Sequence, residues 1–402
     1  MSRAADFTIK GFLYQFNKTL LEILRSPDDA IVTVEGIVED IEVTSSDAKT
    51  AIQCKYHEAA DTFTPSIIFK PLLQMLEHFH ANQDAGIRYI LFAHFPSMTE
   101  APNHSTQLTY FKGALDTKNK DLKGLASNLR DKVDLDKFMS LFSMQVGPAF
   151  DDLVTQVCAA LKENGIPEGE IDTLAYPNAI NMVAGISVKH DPAERTTTRL
   201  KFIEILKSIR KTAISRWTMA LKTRKQLLAA RRAQLKAHLD TNSRLRYIVI
   251  DSKGLEDYEA EVILFMKDYL DKYHFKQVHI CTPVLCLCVT RDQFQEIQHR
   301  LYQKGIISTD GCIGGHFEEQ YFFREPLFSR VSKGDRKREF SLRLLRWEAH
   351  NALLNHRKCD DLFIIGELNY AVLDTSDVNV EHLATSSFKE VKYMMGVSNV
   401  YE

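Results

Sequence analysis

The sequence predicts an α/β protein of more than one domain, and three observations carry that expectation. The chain has 402 residues, more than one ordinary core organises. Stretches of amphipathic helical periodicity alternate with short runs rich in β-branched and aromatic residues, such as IRYILFAHF and RYIVID. The hydrophobic fraction of 45% and charged fraction of 26% belong to a folded globular chain, not a disordered one.

The elements follow in order. Residues 7–25 (FTIKGFLYQFNKTLLEILR) place apolar side chains at helical spacing, and SPDD ends the run. Strands are expected over Ile31–Gly36, Asp40–Thr44 and Ala51–Tyr56, with SSDAK as the turn between the last two. TPSIIFKPLLQMLEHFHANQ reads as a helix and IRYILFAHF as a buried strand, giving helix, three strands, helix, strand. Residues 100–190 read as mostly helical, broken at VGP, NGIPEG and YPN, and about Thr198 to Asp240 reads as one long helix because neither Pro nor Gly interrupts it. Beyond Arg246 the strands RYIVID, QVHICT and VLCLCVT alternate with helices over about 254–273 and 291–304, the pattern of a separate α/β domain. The expected organisation is an N-terminal α/β domain over 1–197, a basic helical connector over 198–245, and a C-terminal α/β regulatory or interaction domain over 246–402.

Several classes are set aside. No apolar run approaches the ~20 residues of a membrane span, and MSRAADFTIKGF lacks the apolar core of a signal peptide, so a cytoplasmic protein without membrane contact is expected. Seven scattered cysteines show no disulfide framework. Cys281, Cys286, Cys288, Cys312 and His316 lack a C-x2-C pair, and CTPVLCLCV alternates like a buried strand, so no zinc site is expected. DGCIGGH lacks the spacing of a phosphate-cradling loop.

The net charge of −2 conceals an asymmetry: Arg199 to Arg246 holds 14 Lys or Arg against two acids, Glu204 and Asp240. On one continuous helix Lys207, Lys211, Lys222, Lys225, Arg232 and Lys236 fall within about 80° of one another, a cation stripe roughly 45 Å long. Ile203, Leu206, Ile209, Ala213, Trp217, Leu221, Leu228, Leu235 and Leu239 form the opposing apolar side. Such a stripe suits the phosphates of duplex DNA. A solvated connector face and an oligomerisation helix are the other readings.

VEGIVEDIEVTSSDAKTAIQCKYHE puts charged and amide side chains where a buried hairpin would carry apolar ones. Alternate side chains on a strand share a face, so Gln53 and Lys55 point one way and Ile52, Cys54 and Tyr56 the other. With Asp40 opening the neighbouring strand, its carboxylate can converge on that pair. Phosphodiester hydrolysis needs such a set: oxygen ligands for Mg²⁺ from Asp40 and the Gln53 carbonyl, and an ammonium, Lys55, to orient and deprotonate water. The same spacing, D-x12-Q-x-K, also suits an ordinary Asp40–Lys55 ion pair at a sheet edge.

GFLYQFNKTLLEIL, VEGIVEDIEV, IQCKYHE, the Ser-containing helix after them and YILFAHF together resemble the PD-(D/E)xK phosphodiesterase superfamily, in particular its Q-x-K branch. That branch serves as the double-stranded DNA endonuclease of bacterial anti-phage systems, the cyclic-oligonucleotide-activated (CBASS) effectors and the Lamassu nuclease subunit. The resemblance covers about residues 7–200. It implies a restriction-endonuclease-like domain over 1–197, a mixed sheet flanked by helices. It further implies Asp40 as the metal-binding acid, Gln53 in place of the usual second acid, Lys55 as the catalytic lysine, Glu35 as an upstream acid able to add a ligand, and Mg²⁺ or Mn²⁺ as cofactor. Gln15 matches a recurrent glutamine beside the site. Because Gln53 is neutral, the metal should be held less tightly unless Glu35 compensates. An unrestrained nuclease would destroy its host, so the resemblance also implies an off state kept by partner proteins, an SMC-like ATPase in the Lamassu case, and a homo-oligomer on release. The alternative is a catalytically silent nuclease-fold subunit that binds DNA or serves as a scaffold; a third reading is an RNA-directed nuclease. Tyr14 and Phe16 read as core aromatics, and His57, His78 and His80 are given no role.

Overall fold

The structure, a computed structural model, describes residues 3–36, 40–58, 62–83, 85–241, 243–275, 281–332 and 335–401. The chain forms two compact units, 1–210 and 211–402. Among the described residues no helix is long and apolar enough to cross a membrane.

Unit 1 begins with α1 (Arg3–Arg25), β1 (Ile31–Val34), β2 (Ile41–Thr44), β3 (Lys49–Tyr56), α2 (Phe69–Ala81) and β4 (Arg88–His94), the order helix, three strands, helix, strand. Helices α3 (His104–Leu115), α4 (Lys120–Leu129) and α5 (Leu135–Leu141) lead to β5 (Phe142–Val146). The unit closes with α6 (Phe150–Glu163), the single turn α7 (Glu168–Glu170), α8 (Tyr176–Ser187), the two-residue β6 (Thr196–Thr197) and α9 (Arg199–Ser208). These strands build a mixed sheet in the order β5-β4-β3-β2-β1-β6, parallel from β3 through β4 to β5 and antiparallel elsewhere. The strand alternation sorts its faces. Ala51, Tyr89, Leu91 and Ala93 pack with α2, α3 and α5 in a core whose rings include Phe79, Phe111, Phe138 and Phe142. On the other face, Tyr14 of α1 stacks on Tyr56 at 4.5 Å and on Phe92 at 5.8 Å, and its hydroxyl donates to the Pro148 carbonyl at 3.0 Å.

Two helical expectations over 100–190 are corrected. FSMQV is the strand β5, not helix, because parallel pairing with β4 and alternate burial of Phe142 and Met144 override local propensity. YPN is not a break: a π-helical turn over Ile171–Ala175, in which the Tyr176 N–H reaches back five residues to the Ile171 carbonyl, runs directly into α8, so the helix passes through Pro177.

The long helix over Thr198–Asp240 does not form. Helix α9 ends at Ser208, Ile209 turns extended at φ −72°, ψ 135°, and the next long helix starts at Arg224. Between them the chain is held by unit 2. The Lys211 ammonium donates to Asn379 Oδ1 at 2.6 Å, the Val380 carbonyl at 3.1 Å and Glu381 Oε1 at 2.8 Å. The Thr212 N–H donates to Gln234 Oε1 at 3.1 Å, and buried Ile214 accepts from the Ala384 N–H at 3.3 Å. Ile209, Thr212 and Ile214 are β-branched and lose rotamer freedom in a helix, and propensities below ~0.7 kcal/mol per residue yield to such contacts. The predicted stripe is thereby dispersed: Lys207 lies on α9, Lys211 and Lys222 lie between helices, and only Lys225, Arg232 and Lys236 share a helix. The apolar side divides likewise, Ile203 and Leu206 being buried in unit 1 and Leu228, Leu235 and Leu239 in the core of unit 2. The connector expected over 198–245 is therefore no separate element, since its first helix belongs to unit 1 and its second to unit 2.

Unit 2 runs α10 (Arg224–Leu239), β7 (Arg246–Asp251), α11 (Tyr258–Tyr273), β8 (Val284–Cys288), α12 (Arg291–Gln303) and β9 (Ser308–Thr309). Two hairpins, β10 (Cys312–Ile313) with β11 (His316–Phe317) and β12 (Phe328–Ser332) with β13 (Asp335–Arg338), flank α13 (Glu319–Phe323). Then come β14 (Leu342–Arg346), α14 (Trp347–His350), α15 (Leu353–His356), β15 (Asp361–Ile365), β16 (Asn379–Leu383) and α16 (Phe388–Met394). The expected strand QVHICT lies, save Cys281 and Thr282, outside the described residues. The sheet, β16-β15-β7-β8-β14-β9, is parallel throughout, and helices cover both faces, which is why RYIVI, VLCLC and DLFII are buried along their length. Cys286 and Cys288 are packed in its core.

Buried charge is matched within this unit: Arg231, 3% exposed, pairs with Glu381, 1% exposed, which Lys211 also contacts. Removing one member of such a pair strands the other. Arg231→Ala is expected to destabilise unit 2 by roughly 3 kcal/mol, read as a lower urea midpoint, while Lys225→Ala on the exposed face should change it by less than about 0.5 kcal/mol.

Candidate functional site

The antiparallel pairing of β2 with β3 sets Ile41 opposite Ile52, and one step further Asp40 stands across from Gln53. Asp40 Oδ2 accepts from the Cys54 backbone N–H at 2.8 Å and from the Gln53 side-chain amide. Gln53 is buried and Lys55, two residues along the same face, is half-buried. This strand is not an edge, since β3 lies between β2 and β4. Among the described residues Lys55 makes no ion pair, so the cross-strand Asp40–Lys55 bridge read as an alternative is absent and the ammonium keeps its donors.

Glu35 enters from the end of β1. Its N–H donates to the Asp40 carbonyl at 2.8 Å, and its Oε1 accepts from Gln15 Nε2 of α1 at 2.6 Å. Its φ of +50° is left-handed, an uncommon conformation for a residue with a long side chain. Three surrounding contacts hold it there: Gln15, the Asp40 carbonyl, and Arg195, whose Nη1 donates to the Glu35 carbonyl at 3.0 Å. Residues 37–39, the middle of EGIVEDIEV, lie outside the described residues. Asp40, Gln53, Lys55, Glu35 and Gln15 are thus brought to one locality. Lys207 belongs to unit 1 and Lys211, Lys222, Lys225, Arg232 and Lys236 to unit 2, where Lys211 is taken by Glu381, and Arg232 by Asn399 and the Tyr393 ring.

Two half-buried acids near one another are costly to ionise. Burial raises the pKa of Glu35 and the Asp40 charge raises it further, while Gln15, Arg195 and Lys55 partly offset this. Burial also raises Asp40, against the opposing effects of the Cys54 N–H, Lys55 and Gln53. Such a cluster gains from a cation. Asp40 Oδ1, Glu35 Oε2 and Gln53 Oε1 have no partner among the described residues, so the donor set is two carboxylates and one amide oxygen, hard ligands suited to Mg²⁺ or Mn²⁺ with waters completing the shell. Among the described residues no three His, Cys, Asp or Glu side chains gather as a metal cage.

Arg195 escaped the sequence. It lies 160 residues from Glu35 and belongs to no motif, and only the pairing of β6 with β1 brings it in. Tyr14 and Phe16 are core aromatics, at 0% and 2% exposure. His57 stacks on Phe95 at 4.9 Å.

No protein-family model matches the chain, and no curated protein matches it in sequence. Among solved structures it is similar to the Acinetobacter baumannii Cap4 SAVED/CARF-domain containing receptor, at 12% identity and a TM-score of 0.31 over 96% of this chain and 92% of that one. The same receptor with the cyclic trinucleotide 3'3'3'-cAAA matches at 12% identity and a TM-score of 0.30, over 97% and 94%. An E. coli structure described as trehalose-6-phosphate bound with UDP-2-fluoro glucose matches at 14% identity and a TM-score of 0.23, over 86% and 90%. Likenesses this slight carry no argument about fold or function.

The raised carboxyls of Glu35 and Asp40 have a measurable sign in the metal-free chain. A carboxyl whose folded pKa lies above its unfolded value stabilises the protein below the ordinary carboxylate range, and that contribution is lost as pH rises through the folded value. In chelator at pH 7.5, Asp40→Asn should therefore melt higher than wild type by calorimetry, about 2–4 °C for each kcal/mol recovered in a unit of this size. Near pH 4 the difference should shrink, and Mg²⁺ should raise the wild-type midpoint but not that of the variant.

Proposed function

We propose that the chain is a metal-dependent DNA endonuclease of the PD-(D/E)xK type, an effector of bacterial anti-phage or anti-plasmid defence held off by partner proteins and activated by release and self-assembly. The observation that carries the reading is the meeting of Asp40, Gln53 and Glu35 beside an unpaired Lys55 at one end of β2 and β3. The order helix, three strands, helix, strand on a mixed sheet agrees with the restriction-endonuclease-like domain that the sequence resemblance implies.

Each side chain has a defined task. Asp40 is fixed by two donors on Oδ2, so that Oδ1 faces one direction. Gln53, locked to Asp40, contributes an amide oxygen without a third negative charge. Gln15 fixes the carboxylate of Glu35. Asp40, Gln53 and Glu35 would hold Mg²⁺ or Mn²⁺, which would supply positive charge to offset that of the phosphoryl oxygens and lower the pKa of water. Lys55, with its donors free, orients the attacking water and moves its proton. Recognition is of backbone phosphate and not of base sequence. Exposed cations remain to meet it, Lys207 on α9 and Lys225 and Lys236 on α10.

Plasmid incubated with the purified chain and Mg²⁺, alone and with its genomic neighbours, tests the reading. Linearised or nicked product is expected, and Lys55→Ala should reduce its rate by about 10²–10⁴-fold. Undiminished cutting by that variant would overturn the catalytic assignment. Duplex binding without cutting under every activating condition would favour the silent scaffold, and RNA offered in the same assay separates the RNA-directed alternative.

A further inference from the structure

Among the described non-glycine residues, Glu35 shares its positive φ only with Asp131 and Asp377. Aspartate tolerates that region through its short polar side chain, whereas glutamate does not reach back to its own backbone so readily. Something outside the turn must then hold Glu35, and the backbone of β6 supplies it. The antiparallel register sets Thr33 opposite Thr196, and one step further the Val34 N–H donates to the Arg195 carbonyl at 2.9 Å. The Arg195 side chain is itself anchored, Nε donating to the Lys189 carbonyl at 2.8 Å, and Nη1 then reaches the Glu35 carbonyl at 3.0 Å. A charged donor thus restrains the Glu35 carbonyl on one side of the residue, while the Asp40 carbonyl holds its N–H on the other, and together they fix the backbone from which the side chain leaves.

We infer that Arg195 is a positioning residue for the cation site: anchored on β6, it holds Glu35 in the left-handed conformation that keeps its carboxylate beside Asp40, and thereby sets the affinity for the divalent ion. The inference rests on the reading of Asp40, Gln53 and Glu35 as ligands. Arg195 acts through Glu35 and touches neither the ion nor the scissile phosphate. The neutral Gln53 makes this matter more, because with one acid fewer the site depends on Glu35 being in place.

Mn²⁺ binding to the full chain, read by calorimetry and by the electron paramagnetic resonance of free Mn²⁺, tests it without reference to cutting. Wild type, Arg195→Ala, Arg195→Lys, Glu35→Ala and the Glu35→Ala/Arg195→Ala double variant are compared. Arg195→Ala should weaken Mn²⁺ about tenfold, with partial recovery in Arg195→Lys, and should add nothing once Glu35 is already alanine. In plasmid cleavage the Mg²⁺ needed for half-maximal rate should rise in step, while the rate at saturating Mg²⁺ stays near wild type. Thermal unfolding confirms that each variant is folded; if Arg195→Ala is not, Arg195→Gln and Arg195→Lys carry the comparison. Unchanged Mn²⁺ affinity overturns the inference, as does an equal loss in the Glu35→Ala background, which would mean that Arg195 supports only the fold. A wild type that binds Mn²⁺ but never cuts counts against the nuclease reading alone, and the binding ratios still decide the role of Arg195. A wild type that takes up no Mn²⁺ overturns both.

Discussion

Holding two half-buried carboxylates within each other's field is the constraint on which the centre of unit 1 depends. Glu35 and Asp40 both resist ionisation there, chiefly through burial, and the neighbouring groups reduce that resistance without abolishing it. Gln15 comes from the first helix, the Cys54 N–H from the third strand and Arg195 from the approach to the sixth. Segments far apart in sequence are tied together at the place where charge is least comfortable. Core packing alone would not ask for any of these polar contacts. They suit a cluster completed by a cation.

Much of unit 1 is legible in the sequence, because its strands alternate or run apolar and its helices carry one apolar face. Strand alternation also puts Gln53 and Lys55 on one side, and antiparallel register brings Asp40 to them. The geometry of Glu35 is less legible, since nothing in VEGIVED announces a left-handed glutamate. Arg195 is not legible at all: a ladder between strands of two and four residues cannot be inferred from either one. Strand β5 was hidden because its five residues follow directly on α5 with no turn residue between them.

The basic stretch shows where charge counting fails. A concentration of Lys and Arg suggests an outward face and an anionic partner, yet several of these side chains turn inward. Arg231 and Lys211 meet Glu381, Arg224 meets Glu390, and Arg244 forks onto Asp361 at 2.7 and 2.8 Å. Arg246, 1% exposed, donates through one nitrogen to the carbonyls of His238, Leu239 and Thr241, closing the C-terminal end of α10. Their partners Asp361, Glu381 and Glu390 lie more than a hundred residues onward, so no local window distinguishes them from a surface patch. Helical periodicity misled for the same reason: the absence of Pro and Gly permits a continuous helix but does not require one when the chain has better partners elsewhere.

The stitching of residues 211–214 onto β16 bears on how copies of this chain can associate. A parallel sheet ends in a strand whose outer amides and carbonyls invite further extension, and β16 is such a strand. Here the Lys211 ammonium occupies the Val380 carbonyl and Ile214 receives the Ala384 N–H, so part of the rim is already sealed by the protein's own backbone and a lysine. Joining sheets rim to rim along β16 would first require peeling that seal away. A rim occupied in this way is a poorer template for a second strand than a bare one, and the occupant is held by side chains, which match one partner, where backbone alone would accept any.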